Sequence, residues 1–363
     1  MTHPRTFFAP AVRSATLIGL VLCCSTRSAQ AAVIVGHQQL SFMQLFNESP
    51  LAQTATTFGD PGLFVPSSIA IGPDNDIYVA ANFSQSVFRF DGETFAPLGA
   101  YAFFPGSSPG TIHFSPSGEL YMADASNGNI HKFQGPSGGS PGAYIGEALA
   151  APINSNFAMS FAFDPNSTDI IVAKDTKVLP DLSVSFPALY RVNSSGVATQ
   201  IGSDGVGGLT SASSLLFGPN GELYVVDIFG NQILKFTDLN PAAPVSAPFI
   251  TFSDPSPVAT GSNYPSDILL DSNGNLLVSL LGQYNLGDPG GNPPEGALRI
   301  FSIVNGSELP GAITGLDPIS AIALLPEPAL SNPAAPEPSA GLLACLGVAG
   351  MGLFRRRQRK VSL

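Results

Sequence analysis

The sequence repeats one pattern of strand, turn and strand along most of its length. In each copy an apolar run leads into a turn rich in Pro, Asn, Asp and Gly, and a second apolar run follows, as in Ser214 to Asp227. This pattern predicts a β-hairpin. The first turn residues of the five complete copies are Gly72, Ser115, Asp164, Gly218 and Asp271. Regular self-similarity of this kind indicates an array of small units rather than one irregular domain.

Each copy continues with a third apolar run and a variable stretch that holds a fourth. The third runs are 87–90, 130–133, 189–192, 233–236 and 297–300, and 95–103 is an example of the fourth. Four short strands at a period of about 40–55 residues are the signature of a β-propeller. We therefore predict an all-β fold.

Five complete copies and a partial sixth predict six four-stranded blades over residues 32–325. The partial copy supplies the strand 321–325, and the strand-like segment 32–46 should complete its blade, because pairing there closes edges that would otherwise be open. Together with the lead-in 59–66, the repeats resemble NHL-type propellers. The resemblance implies the fold and leaves the function open, because propellers have unrelated activities.

Charge and cysteine content exclude two classes of site. The formal net charge is −11, and seven Lys or Arg accompany all 26 Asp and Glu between Glu48 and Glu337. Such an acidic body predicts no nucleic-acid binding, which needs clustered cations. Cys23, Cys24 and Cys345 lie outside the repeats, so the repeats have no disulfide framework and no cysteine zinc site.

Residues 1–31 have the features of a secretory signal peptide. Two arginines precede an apolar core at 15–24, and a small-x-small sequence ends the segment. We predict cleavage between Ala31 and Ala32. A lipoprotein signal at Cys23 or Cys24 and a retained N-terminal helix are the alternatives.

The C-terminal region has three parts in a fixed order after a Pro-rich linker at 326–335. They are the motif Pro336, Glu337, Pro338 and Ser339, an apolar segment at 340–354 and a basic tail at 355–360. The apolar segment is marginal in length for a membrane helix, and the basic tail would stay on the cytoplasmic side. The alternative is a Pro-rich linker with an ordinary C-terminal anchor.

This arrangement over 336–363 resembles the PEP-CTERM sorting signal. The resemblance implies recognition by an exosortase-type enzyme of the inner membrane, transient insertion of a short transmembrane sorting helix, and removal of the tail. PEP-CTERM systems are associated with exopolysaccharide, so the resemblance also implies a cell-surface, biofilm or extracellular-matrix location.

A propeller enzyme is the rival interpretation. Propellers that are similar to gluconolactonases and paraoxonases hold a metal in the channel, and a hard divalent ion needs several carboxylates. Two columns of residues near the start of the first strands would face that channel. They are Ser68, Thr111, Ser160, Ser214, Asp267 and Ala321, and Ser67, Gly110, Met159, Ser213, Ser266 and Ser320.

Asp267 is the only carboxylate in the two columns. We therefore predict no metal, no cofactor and no catalytic residues, and interpret the chain as a non-enzymatic binding or structural module. An extracellular hydrolase or lyase acting on a sugar or lactone is the alternative. His113, alone in its column, is interpreted as a buried residue between blades rather than a channel base.

In each of the five complete copies, the third strand carries one cation at the same place. The five are Arg89, Lys132, Arg191, Lys235 and Arg299. Because acids far outnumber cations, we expect each to pair with an acid on its own or a neighbouring blade.

Two copies carry insertions between the second and third strands, within 174–187 and 282–296. In an up-and-down blade this connection lies at the end where the first strand begins. Inserted loops on one face of a rigid scaffold are where binding usually resides. We therefore predict a partner or glycan site on that face, with Lys174, Lys177, Tyr284 and Asp267 as contributors.

Overall fold

The computed structural model describes residues 31–149 except 39, 158–252 except 175–176 and 179–183, 264–281, and 296–326. The predicted signal peptide up to residue 30, the C-terminal sorting signal and Tyr284 lie outside these ranges. Within the described residues, no helix has the length and apolar character needed to cross a membrane.

Strands account for almost all of the described secondary structure. The first three, which belong to the last blade, are β1 (Ala32–His37), β2 (Phe42–Glu48) and β3 (Leu51–Gly59). Blade one consists of β4 (Pro66–Ile71), β5 (Ile77–Ala81), β6 (Ser86–Phe90) and β7 (Pro97–Phe103). Blade two consists of β8 (Pro109–Phe114), β9 (Leu120–Asp124), β10 (Ile130–Phe133) and β11 (Tyr144–Leu149).

Blade three contains an additional small hairpin. Its strands are β12 (Ala158–Phe163), β13 (Ile170–Lys174), the hairpin strands β14 (Lys177–Val178) and β15 (Val184–Ser185), β16 (Ala188–Val192) and β17 (Ala198–Ile201). Blade four consists of β18 (Ala212–Phe217), β19 (Leu223–Asp227), β20 (Gln232–Asp238) and β21 (Val245–Thr251). Blade five consists of β22 (Pro265–Leu270), β23 (Leu276–Leu280), β24 (Gly296–Phe301) and β25 (Glu308–Leu316), and the final strand is β26 (Ile319–Leu325).

Six four-stranded antiparallel sheets result, so the predicted propeller is confirmed. Short 3-10 turns occur at Asn82–Ser84 and Val206–Gly208. The ring closes as predicted, because β26 pairs with β1 and the sheet order is β26-β1-β2-β3. Ala32 lies opposite Leu325 in this ladder, and Val35 lies opposite Ile322.

The core lies between neighbouring blades. Every residue of β5, β13, β19 and β23 is buried, because a second strand is covered on both sides by adjacent sheets. One cluster joins Tyr78 of blade one to Ile112 of blade two, and another joins Ile171 of blade three to Val225 of blade four. Full burial of such a side chain stabilises a fold by about 1.5–3 kcal/mol. The blades are thus held together mainly by apolar packing.

The propeller has two different faces. We call the face where first strands begin the mouth face; it carries the connections from second to third strands, such as 82–85, and from one blade to the next, such as 60–65. The opposite turn face carries the hairpin turns, such as 72–76.

The repeated cations lie toward the turn face, and four of the five pair within their own blade as predicted. Arg89 bonds Asp74 and Asp76, each at 2.7 Å. Arg191 bonds Asp164 at 2.5 Å, Lys235 lies 3.3 Å from Glu222, and Arg299 bonds Glu308. No ion pair joins Lys132 to a described residue.

Candidate functional site

The first strand of every blade has an irregularity just after it begins. The pairing of first and second strands skips Ser67, Ser213 and Ser266 in blades one, four and five, and Ser320 in blade six. Blades two and three have the same irregularity at the equivalent place. A bulge frees a residue from the ladder and re-aims its side chain. Two consecutive side chains of a strand can therefore line the channel.

The freed serines bond the next blade. The Ser67 hydroxyl donates to the carbonyl oxygen of Pro109 at 2.7 Å, and the Ser266 hydroxyl donates to that of Ile319 at 2.7 Å. Ser320 closes the circle by donating to the carbonyl of Pro66. These acceptors are equivalent first-strand residues, so one hydrogen bond is repeated at three blade junctions.

The second column makes a similar set of contacts. The Ser68 hydroxyl oxygen accepts the Ile112 N–H at 3.1 Å, and the Asp267 carboxylate accepts the Ile322 N–H at 2.9 Å. The Ser214 hydroxyl donates to Asp267 at 2.7 Å. Much of the Ser/Thr pattern in the sequence therefore joins blade to blade around the channel.

Asp267 lies in the channel wall, where it keeps partial contact with the channel interior. Burial raises the pKa of its carboxyl group to about 6, against the opposing effect of the bonds from Ser214, Ile322 and Ile268. A carboxylate that is shielded from bulk water in this way binds a proton more readily.

His113 lines the same cavity. Burial lowers the pKa of its imidazole to about 4, and a hydrogen bond with the backbone of Phe161 opposes this shift. The ring meets the Phe161 ring edge-on, with 5.2 Å between centroids. The side chain is therefore neutral at ordinary pH. The ring packs against the next blade, as interpreted from the sequence, and in addition it lines the channel cavity.

Two cavities follow the channel. The inner one has a volume of about 360 Å³ and is lined by first-strand residues that include Asp267 and His113. The outer one, of about 210 Å³, opens at the mouth face and includes Gln38, Asn82 and Ile228. No group of three or more His, Cys, Asp or Glu among the described residues could hold a metal ion.

Exposed phenylalanines occur on the mouth face. The exposed phenylalanines of the described part of the chain are 55–75% exposed, and all lie on connections or strand ends of the mouth face: Phe64, Phe83, Phe103, Phe186 and Phe229. Val65, Asn82 and Ile228, which line the outer cavity, are sequence neighbours of three of these phenylalanines. Three of the five phenylalanines are therefore next in sequence to residues of the outer cavity, although none of the five lines it.

Hydrogen bonds fix the loops that carry two of these rings. The Phe64 N–H donates to the Ser84 hydroxyl at 3.0 Å, and that hydroxyl donates to the Gly62 carbonyl at 2.6 Å. This joins the connection before blade one to the short turn that contains Phe83. Exposed apolar groups that are close together, unlike single ones, are typical of an interaction site, and Phe64 and Phe83 lie on loops that are joined in this way.

Two buried aspartates fasten other mouth-face connections. Asp124 ends β9 and accepts the backbone N–H groups of Ser108 and Ser126 at 2.9 Å each. Its pKa falls to about 2, because bonds from His131, Ser108 and Ser126 outweigh the burial that would raise it. Asp227 ends β19 and accepts the Ser211 N–H at 2.8 Å.

Sequence reasoning did not assign a role to Asp124 or Asp227. The signal that could have found them is the Asp that ends the second strand in two copies of the repeat. His131 was also missed; it is 1% exposed, with Nε2 3.2 Å from Asp124 and Nδ1 3.5 Å from Glu147. Both ring nitrogens therefore face acidic residues of the same blade, and His131 lines neither of the two cavities.

The predicted ligand residues separate in the structure. Asp267 lies in the channel, whereas Lys174 ends β13 at the position of Asp124 and Asp227 and is only 5% exposed. Lys177 begins β14, on the mouth-face connection as predicted.

Comparison of the sequence with known protein families finds no match, and comparison with curated proteins finds none either. Solved structures, in contrast, share the fold. A protein of unknown function from Bacteroides caccae is 12% identical, with a TM-score of 0.58, and the match covers 81% of this chain and 98% of that one.

Two further structures are similar in fold. Nidogen, in its complex with laminin, is 12% identical with a TM-score of 0.58, and the match covers 82% of this chain and 99% of that one. Virginiamycin B lyase from Staphylococcus aureus is 14% identical with a TM-score of 0.51, and the match covers 82% of this chain and 96% of that one. At these identities the likeness shows the fold alone, which is a six-bladed β-propeller.

Proposed function

We propose that this protein is an exported, non-enzymatic binding module of the cell surface or extracellular matrix, and that its mouth face binds an exopolysaccharide. The observation that carries the proposal is the set of exposed phenylalanines on the mouth face. The N-terminal and C-terminal sequence features support export and exosortase-type sorting.

The chemistry of the mouth suits an uncharged glycan. An aromatic ring offers a flat apolar surface to the C–H face of a sugar ring, and a few hydroxyl and amide groups can then fix its orientation. The outer cavity supplies such groups from Gln38, Asn82 and Thr111. The paired cations lie on the other face, so attraction to an acidic polymer has little support at the mouth.

Removal of the aromatic side chains tests the proposal. We expect the triple variant Phe64→Ser, Phe83→Ser, Phe229→Ser to bind exopolysaccharide at least about tenfold more weakly in co-sedimentation, because the apolar contact is lost. The matched control is Val197→Ser with Val304→Ser, two exposed residues outside the mouth face. Equal retention of the polysaccharide by both variants would contradict the proposal.

A hydrolase or lyase is the second candidate, and Asp267 is the observation that favours it. A carboxyl group with a pKa of about 6 in a channel can act as an acid or a base near neutral pH. Its test is turnover of a lactone panel with and without calcium. Activity that Asp267→Ser abolishes would establish the enzyme and displace the binding module.

A further inference from the structure

The two channel cavities adjoin. Both are lined by the same ring of hydroxyl-bearing residues, Ser67, Thr111, Ser213, Ser266 and Ser320. A small group that enters from the mouth face reaches the inner cavity through this ring. Asp267 lies on the inner side, since it lines the inner cavity and is absent from the lining of the outer one.

Hydrogen-bond acceptors dominate the path to Asp267. The hydroxyl groups of Ser67, Ser266 and Ser320 donate to carbonyl groups of the next blade, so each oxygen acts towards any other group as an acceptor. The Ser266 oxygen also contacts the Ser279 hydroxyl at 2.8 Å. The Asp267 carboxylate is acceptor-only when ionised. No Lys or Arg is among the described residues that line either cavity.

The carboxylate also has no cationic partner among the described residues. Its donors are the Ser214 hydroxyl and the backbone N–H groups of Ile268 and Ile322. The ion-paired cations, such as Arg89 and Lys235, bond acids toward the turn face. A shielded anion without a counter-charge is unfavourable, and a cationic donor that reaches it is bound strongly.

From this geometry we infer that the inner cavity is a site for a primary ammonium group, carried by a small polar molecule such as an amino sugar. An ammonium group has three donors and no acceptor, which is the complement of an acceptor-lined wall with one carboxylate. The inference rests on the proposed function in one respect: the ligand arrives from the glycan-binding face.

Asp267 and His113, the titratable side chains among the described residues that line the inner cavity, change their charge over different pH ranges. At pH 7.5 Asp267, with a pKa of about 6, is mainly ionised, and at pH 5 it is mainly protonated. His113, with a pKa of about 4, stays mainly neutral at both values. A change from pH 7.5 to pH 5 therefore removes the carboxylate charge and leaves the imidazole unchanged.

Calorimetric titration of the full-length protein tests the site with three matched probes, glucosamine, N-acetylglucosamine and glucose. We expect glucosamine to bind at least about tenfold more tightly than N-acetylglucosamine at pH 7.5, and this preference to disappear at pH 5. Equal binding of the two sugars by the unaltered protein would overturn the inference without any variant.

Asp267→Ser is the matched variant, because serine occupies this position in blades one, three and four. We expect it to lose the preference for glucosamine while staying folded, with a melting temperature no lower than that of the unaltered protein. Asp204→Asn, at an exposed acid of the mouth face, is the control and should keep the preference.

Two outcomes would also overturn the site: retention of the preference by Asp267→Ser, or displacement of glucosamine by calcium chloride at constant ionic strength, which would assign the site to a metal ion. Co-sedimentation with polysaccharide is measured in parallel. If the unaltered protein shows no amine preference but still co-sediments with polysaccharide, this inference alone is refuted. If it shows the preference but does not co-sediment, the proposed function alone is refuted.

Discussion

Neighbouring groups set the proton affinity of each buried carboxylate in this propeller. Asp124 and Asp267 are both enclosed, yet the pKa of Asp124 is about 2 and that of Asp267 is about 6. His131 and the Ser126 hydroxyl contribute bonds to Asp124 in addition to backbone N–H groups. Asp267 has fewer donors, so its desolvation is not offset.

The raised pKa of Asp267 has a predictable effect on stability. Its folded pKa of about 6 exceeds the unfolded value, so its contribution is most favourable below pH 4 and is lost as the pH rises through 6. The difference corresponds to about 3 kcal/mol. We expect Asp267→Ser to be more stable than the unaltered protein by about 1–2 kcal/mol at pH 8, because the lost hydrogen bonds offset part of the gain.

Urea denaturation at pH 4, 6 and 8 measures this effect. The unaltered protein should lose stability between pH 4 and pH 6 relative to the variant. Curves that stay parallel over this range would show that Asp267 keeps an ordinary pKa.

At the level of the strand, the repeated bulge converts a row of serines into connections between blades. Adjacent first strands do not share a backbone ladder, so the Ser67, Ser266 and Ser320 hydroxyls supply polar contacts that the sheets do not. These contacts add to the apolar packing between blades.

Removal of these hydroxyls should lower the stability of the contacts between blades without changing the sheet structure of each blade. Each of Ser67→Ala, Ser266→Ala and Ser320→Ala is expected to lower the free energy of unfolding by about 1 kcal/mol. The far-ultraviolet circular dichroism spectrum should not change. Ser307→Ala, at an exposed turn of blade five, is the control. A triple variant as stable as the control would exclude a stabilising role for the three hydroxyls.

The sequence predicted the strands because hairpin patterning is local and repeats. It also predicted the closing blade, since 32–46 and 321–325 were strand-like segments without other partners. The hydroxyl contacts could not be predicted, because they depend on a bulge and on which carbonyl the next blade presents. The exposed phenylalanines were missed for a different reason: they lie in irregular loops, where no period distinguishes Phe83 from a core residue such as Phe90.

For the molecule as a whole, the two faces differ in chemistry. Ion pairs such as Arg89–Asp74 lie toward the turn face, whereas exposed phenylalanines lie at the mouth face. Other exposed apolar residues, such as Val197 and Val304, lie at the turn face, so it is the phenylalanines in particular that distinguish the mouth face.

The proposed export and sorting can be tested at both ends of the mature chain. Mass spectrometry of surface-exposed protein should find Ala32 at the N-terminus and no peptide beyond about Ser339, because the proposed export and sorting would remove the signal peptide and the tail. Recovery of the intact tail 355–360 on exposed protein would contradict sorting by an exosortase-type enzyme.

The pairing of Ala32 with Leu325 also determines how the propeller is presented. β1 begins and β26 ends at the turn face, so a tether attached after Leu325 holds the molecule by that face. If the C-terminal segment anchors the protein, as proposed above, the mouth is the pole farther from the point of attachment.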